Sequence, residues 1–171
     1  MQKVAVKNKL PLICLLIKNV RVCLPLGQVS KILPLMMLQA IPNSPPYVLG
    51  LLNLAGKSIP VIDLAVRLGF ERDKPYSLDM PIILCTSESK ELALLVDKVL
   101  GLADMEETNL QMQNQFNTSN SPFLGSVSIE NKLSLLLNVK TILDINLMDA
   151  KNEQAANFKL TETTQYECEN K

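Results

Sequence analysis

The sequence offers few side chains that could do chemistry. It contains no histidine, so it has no conventional Ser-His or Cys-His pair, no imidazole base and no histidine to phosphorylate. No G-x-x-x-x-G-K-[ST] loop or G-x-G-x-x-G fingerprint occurs, and the six glycines do not cluster, so nucleotide phosphates find no cradle. Asp104, Glu106 and Glu107 form the densest carboxylate group. They could hold a metal or act as an acid–base pair, but a solvated loop accounts for them more simply. Asp63 and Asp97 each follow an apolar strand, where helix capping or a turn role explains them better than catalysis. The four cysteines, Cys14, Cys23, Cys85 and Cys168, form no C-x-x-C pair, and three lie in apolar runs. Buried free thiols fit this pattern better than a disulfide framework or a zinc site. The sequence predicts a protein that is not an enzyme and has no metal or cofactor.

Composition sets the rest of the frame. The 171 residues suffice for one domain with a real core, and 47% apolar against 20% charged residues is a globular balance. Aromatics are 4% with no Trp, so the core must be Leu, Ile and Val. Lys+Arg and Asp+Glu balance at 17 each, and no basic cluster recommends a nucleic-acid partner. The apolar run 10–17 is too short to span a bilayer and lacks a signal-peptide cleavage site, which predicts a cytoplasmic protein with no direct membrane insertion.

Strand-length apolar runs separated by polar turns position these residues. Three hairpins are predicted: 12–17 with 20–26, 82–86 with 91–96, and 123–129 with 133–137. Asp63 can cap a short helix over 64–68 that stops at Gly69, and Asn138 another over 139–143. Residues 101–112 read as a loop with one helical turn at most, 113–122 as a flexible connection, and the polar stretch after Asp149 as a tail. Two segments echo each other at a constant offset: Leu49-Gly50, Gly56-Lys57 and Asp63-Leu64 correspond to Leu124-Gly125, Asn131-Lys132 and Asn138-Val139 (124 − 49 = 138 − 63 = 75). Each copy is a strand, a tight turn carrying Gly or Asn, a second strand and a capped helix, which predicts two related small barrels packed together.

Without chemistry, surfaces must carry the function. The proline-rich stretch 41–47 cannot lie in a central strand and is expected to be an exposed or edge connection. It leads into Leu49, Leu51, Leu52 and Leu54, more leucines than one buried strand face needs, so some should meet the other barrel or a partner.

The run from Pro45 to Leu64, P-P-Y-V-L-G-L-L-N-L-A-G-K-S-I-P-V-I-D-L, resembles the signature of the CheW-like chemotaxis coupling family, as does L-L-V-D-K-V-L-G at 94–101. The resemblance covers roughly residues 10–147. It implies a mainly β fold of two interlocked five-stranded SH3-like barrels with short helices. It sets off residues 1–9 as an N-terminal extension and 148–171 as a polar C-terminal tail. It implies a scaffold that couples the cytoplasmic tip of a methyl-accepting chemoreceptor to a CheA-type histidine kinase, recruited to membrane-associated receptor arrays. The alternatives are an adaptor of a second chemosensory system, such as one serving type IV pilus motility, and one docking a non-receptor partner. The family's receptor contacts map onto Val29, Asn53, Leu54, Ala55, Gly56 and Val99; kinase contacts are not assigned. The sequence departs from the family at Ala55, where Arg is usual and five directed donors are lost.

Overall fold

The computed structural model describes residues 9–106, 110–111 and 120–144. Cys168, most of the connection 113–122 and the C-terminal tail lie outside them. The described chain forms strands β1 (Lys9–Ile17), β2 (Val20–Pro25), β3 (Val29–Pro34), β4 (Val48–Leu54), β5 (Lys57–Asp63), β6 (Pro81–Ser87), β7 (Lys90–Leu95), β8 (Lys98–Glu106), β9 (Leu110–Gln111), β10 (Phe123–Ile129) and β11 (Lys132–Leu137). Helix α1 (Leu64–Arg67) follows β5 and α2 (Val139–Leu143) follows β11. All three predicted hairpins form, and both predicted caps are made: the Asp63 carboxylate accepts the N–H groups of Ala65 and Val66, and Asn138 that of Thr141.

Two sheets result, ordered β8-β1-β2-β11-β10-β9 and β3-β6-β7-β5-β4. The chain starts in the first, leaves it to build all of the second, and returns, so the N-terminal hairpin is completed by C-terminal strands. This is the interlocking that the family resemblance implied, with the six-stranded sheet gaining the two-residue β9. The second sheet has a counterpart of β9 in Gln39, a single bridge to Leu51 beside β4.

The halves repeat in detail. Phe123↔Leu137 repeats Val48↔Ile62 at the 75-residue offset, and a register shift falls at Val48/Gly50 as at Phe123/Gly125. Both turns take two positive-φ residues, Ala55 and Gly56 in one and Glu130 and Asn131 in the other. Glycine is required at both register shifts by crowding. A Cβ on Gly50 would stand 2.5 Å from the Gln39 carbonyl oxygen, and one on Gly125 2.7 Å from that of Gln111. The inner hairpins repeat at a second offset: Leu12↔Pro25 matches Ile82↔Leu95 (82 − 12 = 95 − 25 = 70).

Three apolar clusters explain the unbroken runs. Leu12, Cys14, Cys23, Met105, Val127 and Leu136 fill the six-stranded half; Leu52, Ile59, Val61, Ile82, Leu84, Ala93 and Leu95 fill the other. Between the sheets lies the largest cluster, with Ile13, Leu15, Val22 and Leu24 facing Ile83, Cys85, Leu92 and Leu94. The hairpin strands β1, β2, β6 and β7 are therefore buried on both faces, as apolar runs without alternation require. Of the leucines in β4, Leu49, Leu52 and Leu54 pack in the five-stranded half, and Val48 supplies the inter-sheet contact. Cys14, Cys23 and Cys85 are buried free thiols.

One expectation is corrected. Residues 101–106 continue a nine-residue edge strand and are not a loop. Only Ala103 and Met105 of that strand pack inside the six-stranded half. An edge strand with few inward side chains and a positive-φ Gly101 carries too little apolar alternation to be read as a strand.

Candidate functional site: the outer strands of the inter-sheet face

Strands β3 and β8 occupy equivalent edges of the two sheets, and each carries a bulge at the same place. Val29 pairs with Cys85 and Lys31 with Leu84, leaving Ser30 over; Val99 pairs with Leu15 and Gly101 with Cys14, leaving Leu100 over. Val29 and Val99 are therefore counterparts (99 − 29 = 70). Both are half-buried and pack on the inter-sheet cluster. The bulges twist the edges and re-aim the residues beside them.

Two further residues share these edges and were not singled out in the sequence. Ile32 pairs with Ile83, and Leu102 with Ile13. Ile83 and Ile13 sit in the inter-sheet cluster, so Ile32 and Leu102 share its face, yet they are 48% and 68% exposed. They too are counterparts at the 70-residue offset. Each edge thus presents a half-buried valine and a large exposed aliphatic three positions on, with Leu100 at the β8 bulge 37% exposed. Apolar side chains gathered at the margins of an otherwise closed core form a ready surface for another apolar partner. The 70-residue offset that equates the two edges emerges only from the strand pairing.

The turn 53–56 joins β4 to β5. Leu54 packs inside the five-stranded half, and the Asn53 Oδ1 accepts the Gly56 N–H at 3.1 Å. Ala55 and Gly56 are exposed, with Ala55 at φ 52° and Gly56 at φ 83°. Leu54 thus has a packing role and Asn53 braces the turn while exposed, so Asn53, Ala55 and Gly56 are its exposed residues. The turn and Val29 stand at the same end of the five-stranded sheet: Lys57 reaches Glu91 near the β6–β7 turn, and Val29 pairs with Cys85 near it.

The two carboxylates that end strands are joined by a residue the sequence did not single out. Arg72 grips the fully buried Asp63 through Nε to Oδ2 at 2.5 Å and Nη2 to Oδ1 at 2.9 Å, and donates from Nη1 to Asp97 at 2.8 Å. The Lys18 N–H also donates to Asp97, at 2.5 Å. Tyr76 lies against the guanidinium, 5.3 Å from its ring centroid. Burial opposes the charged guanidinium, but the hydrogen bonds to Asp63 and Asp97 outweigh it and raise the Arg72 pKa. The lock ties the α1 cap, the β7–β8 junction and the β1–β2 turn together, and its oxygens are occupied. No group of three or more potential metal ligands occurs among the described residues. Burial pushes the Cys23 and Cys85 thiols up to about 12, which keeps them unreactive.

Residues 11–146 match the family described as CheW-like domain. The chain is 31% identical over 104 residues to "Chemotaxis protein CheW" of Thermotoga maritima, covering 61% of this chain and 68% of that protein. It is 30% identical over 150 residues to "Chemotaxis protein CheV3" of Helicobacter pylori, covering 84% of this chain but 46% of that longer protein. The crystal structure of the scaffolding protein TtCheW from Thermoanaerobacter tengcongensis shares the fold, with a TM-score of 0.73 at 23% identity over 81% of this chain and 95% of that one. Among the described residues no helix is long and apolar enough to cross a membrane.

Proposed function

The chain belongs to the CheW-like family of chemotaxis coupling adaptors, and from that premise we propose that it is a non-catalytic scaffold holding a chemoreceptor's cytoplasmic tip beside a CheA-type histidine kinase. The observation that carries the receptor half of this reading is the apolar margin on β3 and β8. Val29 and Val99 anchor it in the core, while Ile32 and Leu102 are 48% and 68% exposed among the described residues. A receptor hairpin is a helical surface with apolar stripes, and laying one along this margin would cover them in the helix-in-groove manner. Ala55-Gly56 contributes an exposed rim where an Arg side chain would reach further than Ala does.

The test is binding of the purified chain to a receptor cytoplasmic hairpin and to a CheA-type kinase from the same cell. No kinase binding at tens of micromolar sinks the adaptor reading. Val99→Asp is expected to weaken receptor binding by about 1–3 kcal/mol, because it buries an unpaired charge against apolar surface. Unchanged receptor affinity in a folded Val99→Asp protein removes Val99 from the site. Ala55→Arg is expected to strengthen receptor binding, and no change assigns the substitution no role in coupling.

A further inference from the structure

The repeat allows each charged residue to be compared with its structural counterpart, and one position breaks the match. In the five-stranded half, Lys57 at the start of β5 forms an ion pair with Glu91 on β7, at 3.3 Å. Their counterparts are Lys132 at the start of β11 (132 − 57 = 75) and Arg21 on β2 (91 − 21 = 70). The pairing geometry is the same: β5 runs parallel to β7 with Val61 beside Ala93, and β11 parallel to β2 with Leu136 beside Cys23. Where one half has a cation and a carboxylate, the other has two cations.

A third cation joins them. Leu16 pairs with Arg21 on one side and with Lys98 on the other, so Lys98, Leu16 and Arg21 form one row across the sheet. The corresponding positions in the other half are Gln28, Thr86 and Glu91, of which Thr86 and Glu91 are paired. By strand alternation the row and Lys132 face the mouth of the six-stranded half, beyond Cys14 and Cys23. Lys98 and Lys132 are exposed, and Arg21 is half-buried. Its Nε is buried without a hydrogen-bond partner. None of the three cations has an ion-pair partner among the described residues. A guanidinium N–H left unpaired out of water is costly, and a carboxylate is the group whose geometry answers it.

We propose that this mouth docks an acidic segment of a protein partner, with one carboxylate taken by Arg21 and its neighbours by Lys98 and Lys132. The whole chain has a formal net charge of +0, so attraction for an acidic segment arises from this local arrangement and not from overall charge. The surface is separate from the apolar margin: Lys98 precedes Val99 on β8 and lies on the opposite face of the strand.

The experiment uses the full chain and a fluorescein-labelled hexaglutamate peptide, followed by anisotropy in about 20 mM and about 300 mM salt. Binding is expected at low salt and is expected to fade at high salt. Arg21→Glu recreates the Lys57–Glu91 arrangement, so it is expected to keep or raise the melting temperature while weakening peptide binding by about tenfold or more. Lys132→Glu, at an exposed site, provides the same test without touching a half-buried residue. Lys74→Glu, an equal charge change on the exposed segment after α1, is expected to leave binding unchanged. Absence of peptide binding by the unmodified chain, full binding by both Arg21→Glu and Lys132→Glu, or equal loss in Lys74→Glu would each overturn the proposal.

Discussion

The two halves of this molecule share a backbone plan but hold themselves together differently. Each has a capped helix after a repeated hairpin, and the caps are counterparts: Asp63 and Asn138 both donate their own backbone N–H to a carbonyl 16 residues upstream, Tyr47 and Pro122, at 2.8 Å. In the five-stranded half the cap is a buried carboxylate locked by Arg72 and linked to Asp97. In the other it is a neutral amide with one side-chain bond, 3.4 Å to Thr141. The difference shows which constraints the fold imposes. Backbone requirements recur in both halves, namely glycine at the two crowded bulges, positive φ in both turns, and a side-chain oxygen at both caps. The charge pairings do not recur: Lys57 meets a carboxylate in Glu91, whereas the counterparts Lys132 and Arg21 are both cations.

That contrast gives the largest expected effect. Arg72→Leu leaves the Asp63 carboxylate buried with only its helix N–H donors, and unfolding in urea should show a loss of about 3–5 kcal/mol. Asn138→Ala, by comparison, removes one cap bond and should cost about 1 kcal/mol. Combining Arg72→Leu with Asp63→Asn makes this half resemble the other and should recover most of the loss. A double variant no better than the single one would show that the lock does more than neutralise Asp63.

Next come the bulge glycines. Gly50→Ala forces a Cβ against the Gln39 carbonyl in a backbone at φ +146°, and about 3 kcal/mol or more should be lost. Gly125→Ala meets the Gln111 carbonyl at a slightly longer 2.7 Å and should be the milder of the two. Equal or reversed costs would mean that the halves crowd these positions differently.

Alkaline pH acts on both halves through one buried thiol each. Cys23 and Cys85 are both held up to about 12 from an ordinary 9.0. The fold therefore prefers the neutral thiols. Their contribution is complete below pH 9 and declines as pH rises from 9 towards 12. Denaturation at successive pH values should show this decline, and Cys23→Ala, which copies its counterpart Ala93, should reduce it. The smallest effect is at the turns: Ala55→Gly and Glu130→Gly should each gain about 0.5–1 kcal/mol by relieving a positive φ of 52° and 51°.

Much of this was legible in the sequence, for identifiable reasons. The hairpins and caps were marked by turn residues and Asp or Asn at fixed positions, and the 75-residue echo kept its Gly, Asn and cap residues because the backbone demands them. The 70-residue echo was hidden: β1–β2 and β6–β7 share a requirement only for apolar bulk on both faces, which many sequences meet. Ile32 and Leu102 were therefore not singled out, whereas Val29 and Val99 were named from the family resemblance and not from the echo. Arg72 was invisible for another reason, since it sits in the polar stretch after α1 and its role depends on Asp97, 25 positions away.

We propose that the margins of β3 and β8, equivalent by the repeat, form one apolar docking surface. Titration calorimetry of a receptor cytoplasmic hairpin with Ile32→Asp and with Leu102→Asp tests it most directly, because both side chains are exposed and neither substitution should disturb the core. Each variant is expected to fold as the unmodified chain does, to retain kinase binding, and to lose about 1–3 kcal/mol of receptor affinity. Receptor affinity unchanged in both folded variants would contradict the claim.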